Sequence, residues 1–395
     1  PTPRFDGSIP ADRSNPYRMT MLWPLAAPPQ LAPGTLGGRT EPVRLISDDL
    51  AASLAPGGRL YRSLDALHSL VPVRTPSVVN TPTPTGPTTG APGPDAAGPG
   101  TSGSRTPGQP PSATPSPPGS TESTGPESTA ATQQNTPDHK ASRAALRKSV
   151  CLAVDPDLLV TVRVMSTGYV ISRDPSSPTS ETTPGEGTAV AAQWLATLKQ
   201  LAGELCVVAL PFASADLGSL ARVDNAGLTA AALTSPADIV DSILGVKSVR
   251  GIAIPAIGAI DDAGAGVLKS ATVTKAVSSA ATLTPDRDPD PSGRYQVGDI
   301  RVQTTDAPVT AALGAMGTAP TTPVLTPSSQ LVDLDRESAV SRRQSATAAL
   351  AFAALTLPHS GAATTDQQVT DPQVTQLPVS GRSQFIVPPI YWSPT

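Results

Sequence analysis

The sequence predicts an α/β protein on parallel strands: a (β/α) barrel, complete or slightly incomplete, with a long Pro/Thr/Ser-rich insertion. Three observations lead there. Short apolar, β-branched runs recur along the chain, each closed by Asp or Pro and followed by a helical pattern, as expected of a parallel sheet covered on both faces. The unit recurs roughly six to eight times, which suits a barrel. No Gly-x-Gly-x-x-Gly follows the first run, which argues against an open dinucleotide-binding sheet.

Taken in order, "TMLWPLAAPP" (Thr20–Pro29) reads as the first strand, closed by Trp23-Pro24. Gly57–Leu70 is an amphipathic helix with Leu60, Leu64 and Leu67 on one face. "VCLAVDPDLLVTVRVM" (Val150–Met165) gives a strand, an Asp155-Pro156 turn and a helix. Thr188–Gly203 is a helix with Thr188 as cap and Gly203 as stop. Leu205–Val223 repeats strand, Pro211 turn and helix, and Ser235–Val246 is a short helix with Ser235 as N-cap and Pro236 at its first position. "RGIAIPAIGAIDDAGAGVLKSA", from Arg250, repeats the unit once more. Ala281–Pro285 and Arg294–Met316 add strands and a helix, Glu337–Leu355 a long helix, and Arg382–Pro394 a closing strand.

Between these units the chain breaks. Residues 1–18 read as a linker, and 19–395 as one barrel domain interrupted at 75–140. That tract is Pro, Thr, Gly and Ser with almost no bulky apolar residue, so it cannot offset its ordering entropy and is expected to be disordered. Such tracts serve as spacers or carry O-linked glycans in exported proteins. Lesser breaks are expected at Ser172–Gly187, Pro285–Gly293 and His359–Gly381. The 395 residues include 46 Pro and only 3% aromatics, with a net charge of −4 and scattered basic residues, so nucleic acid is not an expected partner. "SATAALAFAALTLP" is too short and too rich in Ser, Thr and Ala to span a bilayer. The chain starts "PTPRF" and reads as a processed or cut piece, any export signal or anchor lying outside it.

The stretches "MLWPL", "DDLAASLAPGGRL", "AVDPDLL", "AAQWLATLK", "LPFASADLGSLARV" and "SVRGIAIPAIGAID" together resemble actinobacterial cell-envelope proteins of the DUF6049 type, from about Tyr17 to Trp392. The resemblance implies an exported protein with an N-terminal β-sandwich, this barrel and a C-terminal membrane helix, encoded near the lipid II flippase. It would make the chain the extracytoplasmic barrel alone, with a cell-wall glycan or an envelope membrane protein such as the flippase complex as partner. The strand-end order is also similar to family 57-type glycoside hydrolases, whose barrels are related in shape to polysaccharide deacetylases. In those hydrolases the fourth-strand turn reads Trp-x-Pro-Glu, with Glu as nucleophile. Here that turn is Ile254-Pro255-Ala256-Ile257, without a carboxylate.

Glycosidases need two carboxylates across the scissile bond, at the C-terminal ends of the strands. The Asp residues there are Asp155, Asp157, Asp216, Asp261, Asp262 and Asp306. Asp155, at a strand end, leads them, while for the others helix capping competes strongly with chemistry. Glu186, Glu204 and Glu337 fall outside that face. An active hydrolase would use Asp155 with Asp262 or Asp216. The three histidines, His68, His139 and His359, lack ligand spacing, so no metal and no cofactor is expected. No Gly-x-Ser-x-Gly elbow and no phosphate-binding loop occurs.

Cys151 and Cys206 both fall in strands. They read as two small core residues rather than a disulfide, because adjacent parallel strands seldom offer the geometry. Trp23 and Trp392, with Tyr391, stand at the ends of the first and last strands, either as stacking faces for a sugar or as core at the seam. Together these readings point to an extracytoplasmic, non-catalytic barrel that binds a glycan through Trp23, Asp155, Asp216, Asp262, Asp306, Tyr391 and Trp392. An active hydrolase and a pure protein scaffold are the alternatives.

Overall fold

A computed structural model describes residues 18–32, 42–71, 144–283, 293–355, 374–376 and 383–394. The chain divides near Val73 and Lys140 into Pro1–Val73 with Lys140–Thr395, and Arg74–His139. The linker 1–17, the tract 75–140 and most of the breaks at 285–293 and 359–381 lie outside the described residues.

The protein is mixed α/β, and its principal sheets are largely parallel. Strands β1 (Arg18–Leu25), β3 (Val150–Val154), β6 (Cys206–Ala209) and β12 (Ser383–Ile386) form one all-parallel sheet in the order β12-β1-β3-β6. The first and last strands therefore pair directly, Thr20 opposite Phe385. A second sheet runs β11-β9-β10-β8-β7, with β7 (Ile252–Ala253), β8 (Lys275–Ser279) and β10 (Ile300–Thr305) parallel. In it β9 (Arg294–Val297) is antiparallel to β10 and to β11 (Val374–Gln376). A small third sheet joins β2 (Val43–Leu45), β4 (Tyr169–Ser172) and β5 (Thr182–Pro184).

Among the described residues, no sheet closes on itself. The two large sheets nevertheless touch in two places. Val249 bridges Val208 in parallel, its N–H reaching Val207 O at 2.8 Å. Past the end of β10, Asp306 N–H donates to Phe385 O at 3.0 Å, and Thr310 Oγ1 to Val387 O at 3.1 Å.

The alternation of side chains along a strand sends neighbours to opposite faces. On one face Trp23, Leu25, Leu152, Val154 and Val207 pack against α2 (Arg59–Leu70), α3 (Pro156–Met165), α4 (Thr188–Ala202) and α7 (Ser235–Leu244). The Leu60, Leu64 and Leu67 stripe of α2 is buried there as its spacing predicts. On the other face Leu22, Ala26, Ala153, Val208, Ile254 and Val277 meet in a separate cluster drawn from both large sheets. A third cluster lies beneath α5 (Leu217–Val223) and α8 (Asp262–Ser270), against β7, β8 and β10.

Several expectations are corrected. Pro24 does not end the first strand, which runs to Leu25; Pro24 lies past the last pair with β12, Met21–Ile386. Ser172–Gly187 is not simply a break, because Thr182–Pro184 pairs antiparallel with β4. Tyr169 pins that region: its hydroxyl donates to Asp48 Oδ1 and accepts the Gly187 N–H at 2.9 Å. Burial first, and these carboxylate neighbours next, push its pKa up to about 12. The strand near 281 falls earlier, at Lys275–Ser279, and Ala280–Thr282 is a 3₁₀ turn. Gly187, not Thr188, stands at the cap of α4. Ser235 is already helical, because α6 (Ala226–Thr229) runs through a π-helical turn, Ala230–Thr234, into α7.

The cysteines are also corrected. Cys151 and Cys206 are register partners on β3 and β6, and they form a disulfide with a Cα–Cα distance of 4.6 Å. Direct opposition on the same face is what permits the bond. In the chain-entropy view a bridge spanning 55 residues stabilises by about 4 kcal/mol.

Candidate functional site

The C-terminal ends of the parallel strands surround a cavity of about 470 Å³. Its wall is built from strand ends and the turns after them. Pro24, Ala153, Leu210, Ile254, Val277 and Val387 give it an apolar base, and the small residues among them leave the space open. The turn after β7 contributes Pro255, Ala256, Ile257 and Gly258. Gly258, at φ +69, adopts a left-handed conformation, and its carbonyl accepts the Ser279 N–H at 2.7 Å and the Ser278 hydroxyl at 2.8 Å. The polar rim consists of Ser214, Ser278, Ser279, Thr305, Thr310, Thr321, Thr322 and Thr326, with Tyr391. No carboxylate lines the cavity among the described residues.

Tyr391 is 40% exposed and is the aromatic ring on this wall. The Arg59 guanidinium lies 5.9 Å from its centroid, within cation–π range. Arg59 Nη2 donates to Ala26 O at 2.6 Å. Burial holds the Arg59 pKa below its ordinary value, with Tyr391 acting the other way.

The expected aspartates separate into distinct roles. Asp155 caps α3, its Oδ1 accepting the Asp157 N–H at 2.9 Å. The same oxygen accepts the Ala213 N–H at 3.1 Å, from the turn after β6. Asp155 is fully buried. Burial pushes its pKa up to about 7, the two N–H bonds pull it down, and Asp157 adds a smaller upward push. Ser214 is close enough to favour the charged form. Even so, Ser214 Oγ and Asp155 Oδ2 both lack a partner at hydrogen-bond geometry among the described residues. Asp157 is buried as well, and its pKa is raised by that burial.

Asp216 caps α5 by accepting the Ser219 N–H at 2.7 Å; it is exposed and its pKa is lowered, first by the Ser219 side chain and then by that N–H. Asp261 caps α8 through the Gly264 N–H, and Asp262 is exposed in the first turn. Asp306 caps α9 (Ala307–Met316), accepting from Val309 N–H at 3.1 Å and from Gln384 Nε2 at 2.6 Å. Of the aspartates expected to face a ligand, Asp155, Asp216, Asp262 and Asp306, none lines this cavity, and Asp216 lines the groove beside α5 instead.

The Trp23 and Trp392 stacking expectation is corrected too. They meet edge to face at 4.9 Å, each at most 6% exposed, with indole N–H groups donating to Ser63 Oγ and Leu313 O. They fill the seam between first and last strands, leaving Tyr391 as the ring available to a ligand. Sequence reasoning missed Ser214, whose signal was present: "LPFASAD" puts no glycine in a sharp strand-to-helix turn, so Ala213 and Ser214 must take left-handed angles themselves.

Glu204 pairs with Arg147 at 3.0 Å, and Glu337 accepts the Ser341 hydroxyl, both away from the cavity. His68 is exposed on α2, and His139 and His359 lie outside the described residues. No cluster of three metal-ligating side chains occurs among the described residues. Among them, no helix is long and apolar enough to cross a membrane.

No protein-family model and no curated protein matches the chain. A solved structure, the novel alpha-amylase AmyC from Thermotoga maritima, matches over 42% of this chain and 38% of its own, at 10% identity and a TM-score of 0.27. A likeness of that size bears on neither fold nor function.

Proposed function

We propose that this chain is an extracytoplasmic, non-catalytic (β/α) barrel that binds a glycan of the cell envelope during wall biogenesis. In this reading β12, β1, β3, β6, β7, β8 and β10 close into a seven-stranded barrel. The contacts at Val208–Val249 and Asp306–Phe385, and the cluster uniting Leu22, Ala153, Val208, Ile254 and Val277, support closure. Barrel sites form at the C-terminal ends of the strands, where the cavity lies.

The observation that carries the functional reading is the composition of that cavity: among the described residues, one exposed aromatic ring, many hydroxyls, an apolar base and no carboxylate. A ring offers a sugar's C–H face a flat apolar partner, and hydroxyls orient its O–H groups. Hydrolysis needs two carboxylates, and the turn that carries one in the family 57-type hydrolases holds Ala256 and Ile257 here. The disulfide supports an oxidising compartment. The resemblance to DUF6049-type envelope proteins supports the same place and the anchoring of the longer protein.

Calorimetric titration with actinobacterial wall glycan fragments and lipid II analogues, with product analysis of the same samples, tests the reading. Saturable binding without turnover is expected, weakened about tenfold or more in Tyr391→Ala. Turnover lost in Asp155→Ala would replace it with an active hydrolase using Asp155.

A second reading, a scaffold for an envelope membrane protein such as a flippase-complex component, is favoured by one observation. An apolar groove of about 410 Å³ beside α5 leaves Val223 and Leu228 at least half exposed. Capture of such a component, with no heat from any glycan, would select it.

A further inference from the structure

We propose that the Asp155 carboxyl is a proton-operated latch on the Phe212–Ala215 turn, and that its state sets the shape of the cavity. The turn is strained. Ala213 (φ 51, ψ 33) and Ser214 (φ 56) are successive non-glycine residues in the left-handed region, where Cβ crowds the backbone. Such a conformation persists only if its surroundings hold it. Two bonds within the turn help, Ser214 N–H to Pro211 O and Ala215 N–H to Phe212 O. The tie from outside is Ala213 N–H to Asp155 Oδ1, across 58 residues of sequence.

That tie depends on charge. An ionised carboxylate accepts an N–H more strongly than a neutral carboxyl does. Asp155 has no solvent to compensate it, being fully buried. With its pKa raised to about 7 by burial, both forms are populated near neutral pH. The charged group facing it is Asp157, on its own helix. The end of β1 and the turn itself bring no titratable side chain. On the helices packed against α3, Lys199 of α4 and Asp238 of α7 are exposed, and Asp241 of α7 is bonded to Arg250. Protonation weakens the hold on Ala213 and gives Oδ2 a proton to donate.

The turn stands between two spaces. Ser214 lines the mouth cavity, and Phe212 and Ala215 line the apolar groove beside α5. Releasing four residues therefore moves a wall of each. The effect on a bound sugar rests on the glycan reading above, but the latch does not.

The test is hydrogen exchange of the whole chain between pH 5.5 and 8.5, read by mass spectrometry on fragments covering 205–223 and corrected for intrinsic rates. Protection of the turn amides should rise about tenfold with pH, centred near 7, and Asp155→Asn should flatten the step. Ala213→Gly takes the left-handed angle without strain, so its turn should stay closed at low pH and the step should shrink. A wild-type turn indifferent to pH, or an unchanged step in Asp155→Asn, would overturn the latch. Should Asp155→Asn fail to fold, an undiminished step in Ala213→Gly overturns it alone. No glycan is present, so a failed glycan titration leaves this result standing.

Discussion

The ends of β3 and β10 carry the same local grammar and reach opposite outcomes. Each places an aspartate after the last strand residue and a proline in the first helical turn, and each aspartate caps its helix. Each also ties its strand end to a distant element: Asp155 to the turn after β6, Asp306 to β12. Asp306 is partly exposed and uses one oxygen for Val309 N–H and the other for Gln384. Asp155 is sealed, loads both N–H bonds on Oδ1 and leaves Oδ2 without a partner at hydrogen-bond geometry. Capping sets the backbone in both places. At Asp155 the burial adds a second property, a pKa pushed up to about 7.

That contrast can be pushed hardest with pH. The folded chain binds a proton at Asp155 more tightly than the unfolded chain does. Its stabilising effect is therefore fully present below about pH 4 and is lost as pH rises through about 7. At about 1.4 kcal/mol per unit, wild-type stability relative to Asp155→Asn should fall by up to about 4 kcal/mol across that window. Urea unfolding of both proteins at several pH values measures it, and parallel pH curves would refute it. Next in size is Asp155→Ala at pH 5, which removes the cap and leaves the Ala213 N–H unpaired, for a loss of about 3 kcal/mol. Asp306→Ala gives up its cap and the Gln384 bond, a loss of about 2 kcal/mol read by urea unfolding. Asp216→Ala, an exposed cap, should cost about 1 kcal/mol or less in thermal unfolding.

The strand-end aspartates were legible because capping is local: an Asp, a Pro and an apolar run within a few residues suffice. So were the pairing of first and last strands and the buried stripe of α2. The environment of Asp155 was not legible, since it depends on Ala213, 58 residues away. Nor was the third sheet, whose strand β5 is three exposed residues in a Thr/Pro-rich stretch without alternation. The disulfide depended on register, Cys151 against Cys206, which neither strand announces alone. Trp23 and Trp392 were rightly read as neighbours, but whether such a pair meets water or core depends on how the strands and helices around it pack.

The Cys151–Cys206 bond has one more effect, on what a protease can release. It closes a covalent ring holding α3, β4, β5 and α4. Within that ring Arg173 is 74% exposed, an open site for trypsin. A cut there severs the backbone without separating the pieces, so the nicked chain should migrate as one species until a reductant is added. In a protease-rich setting, the same bond would let the molecule carry a broken backbone and still keep β3 beside β6.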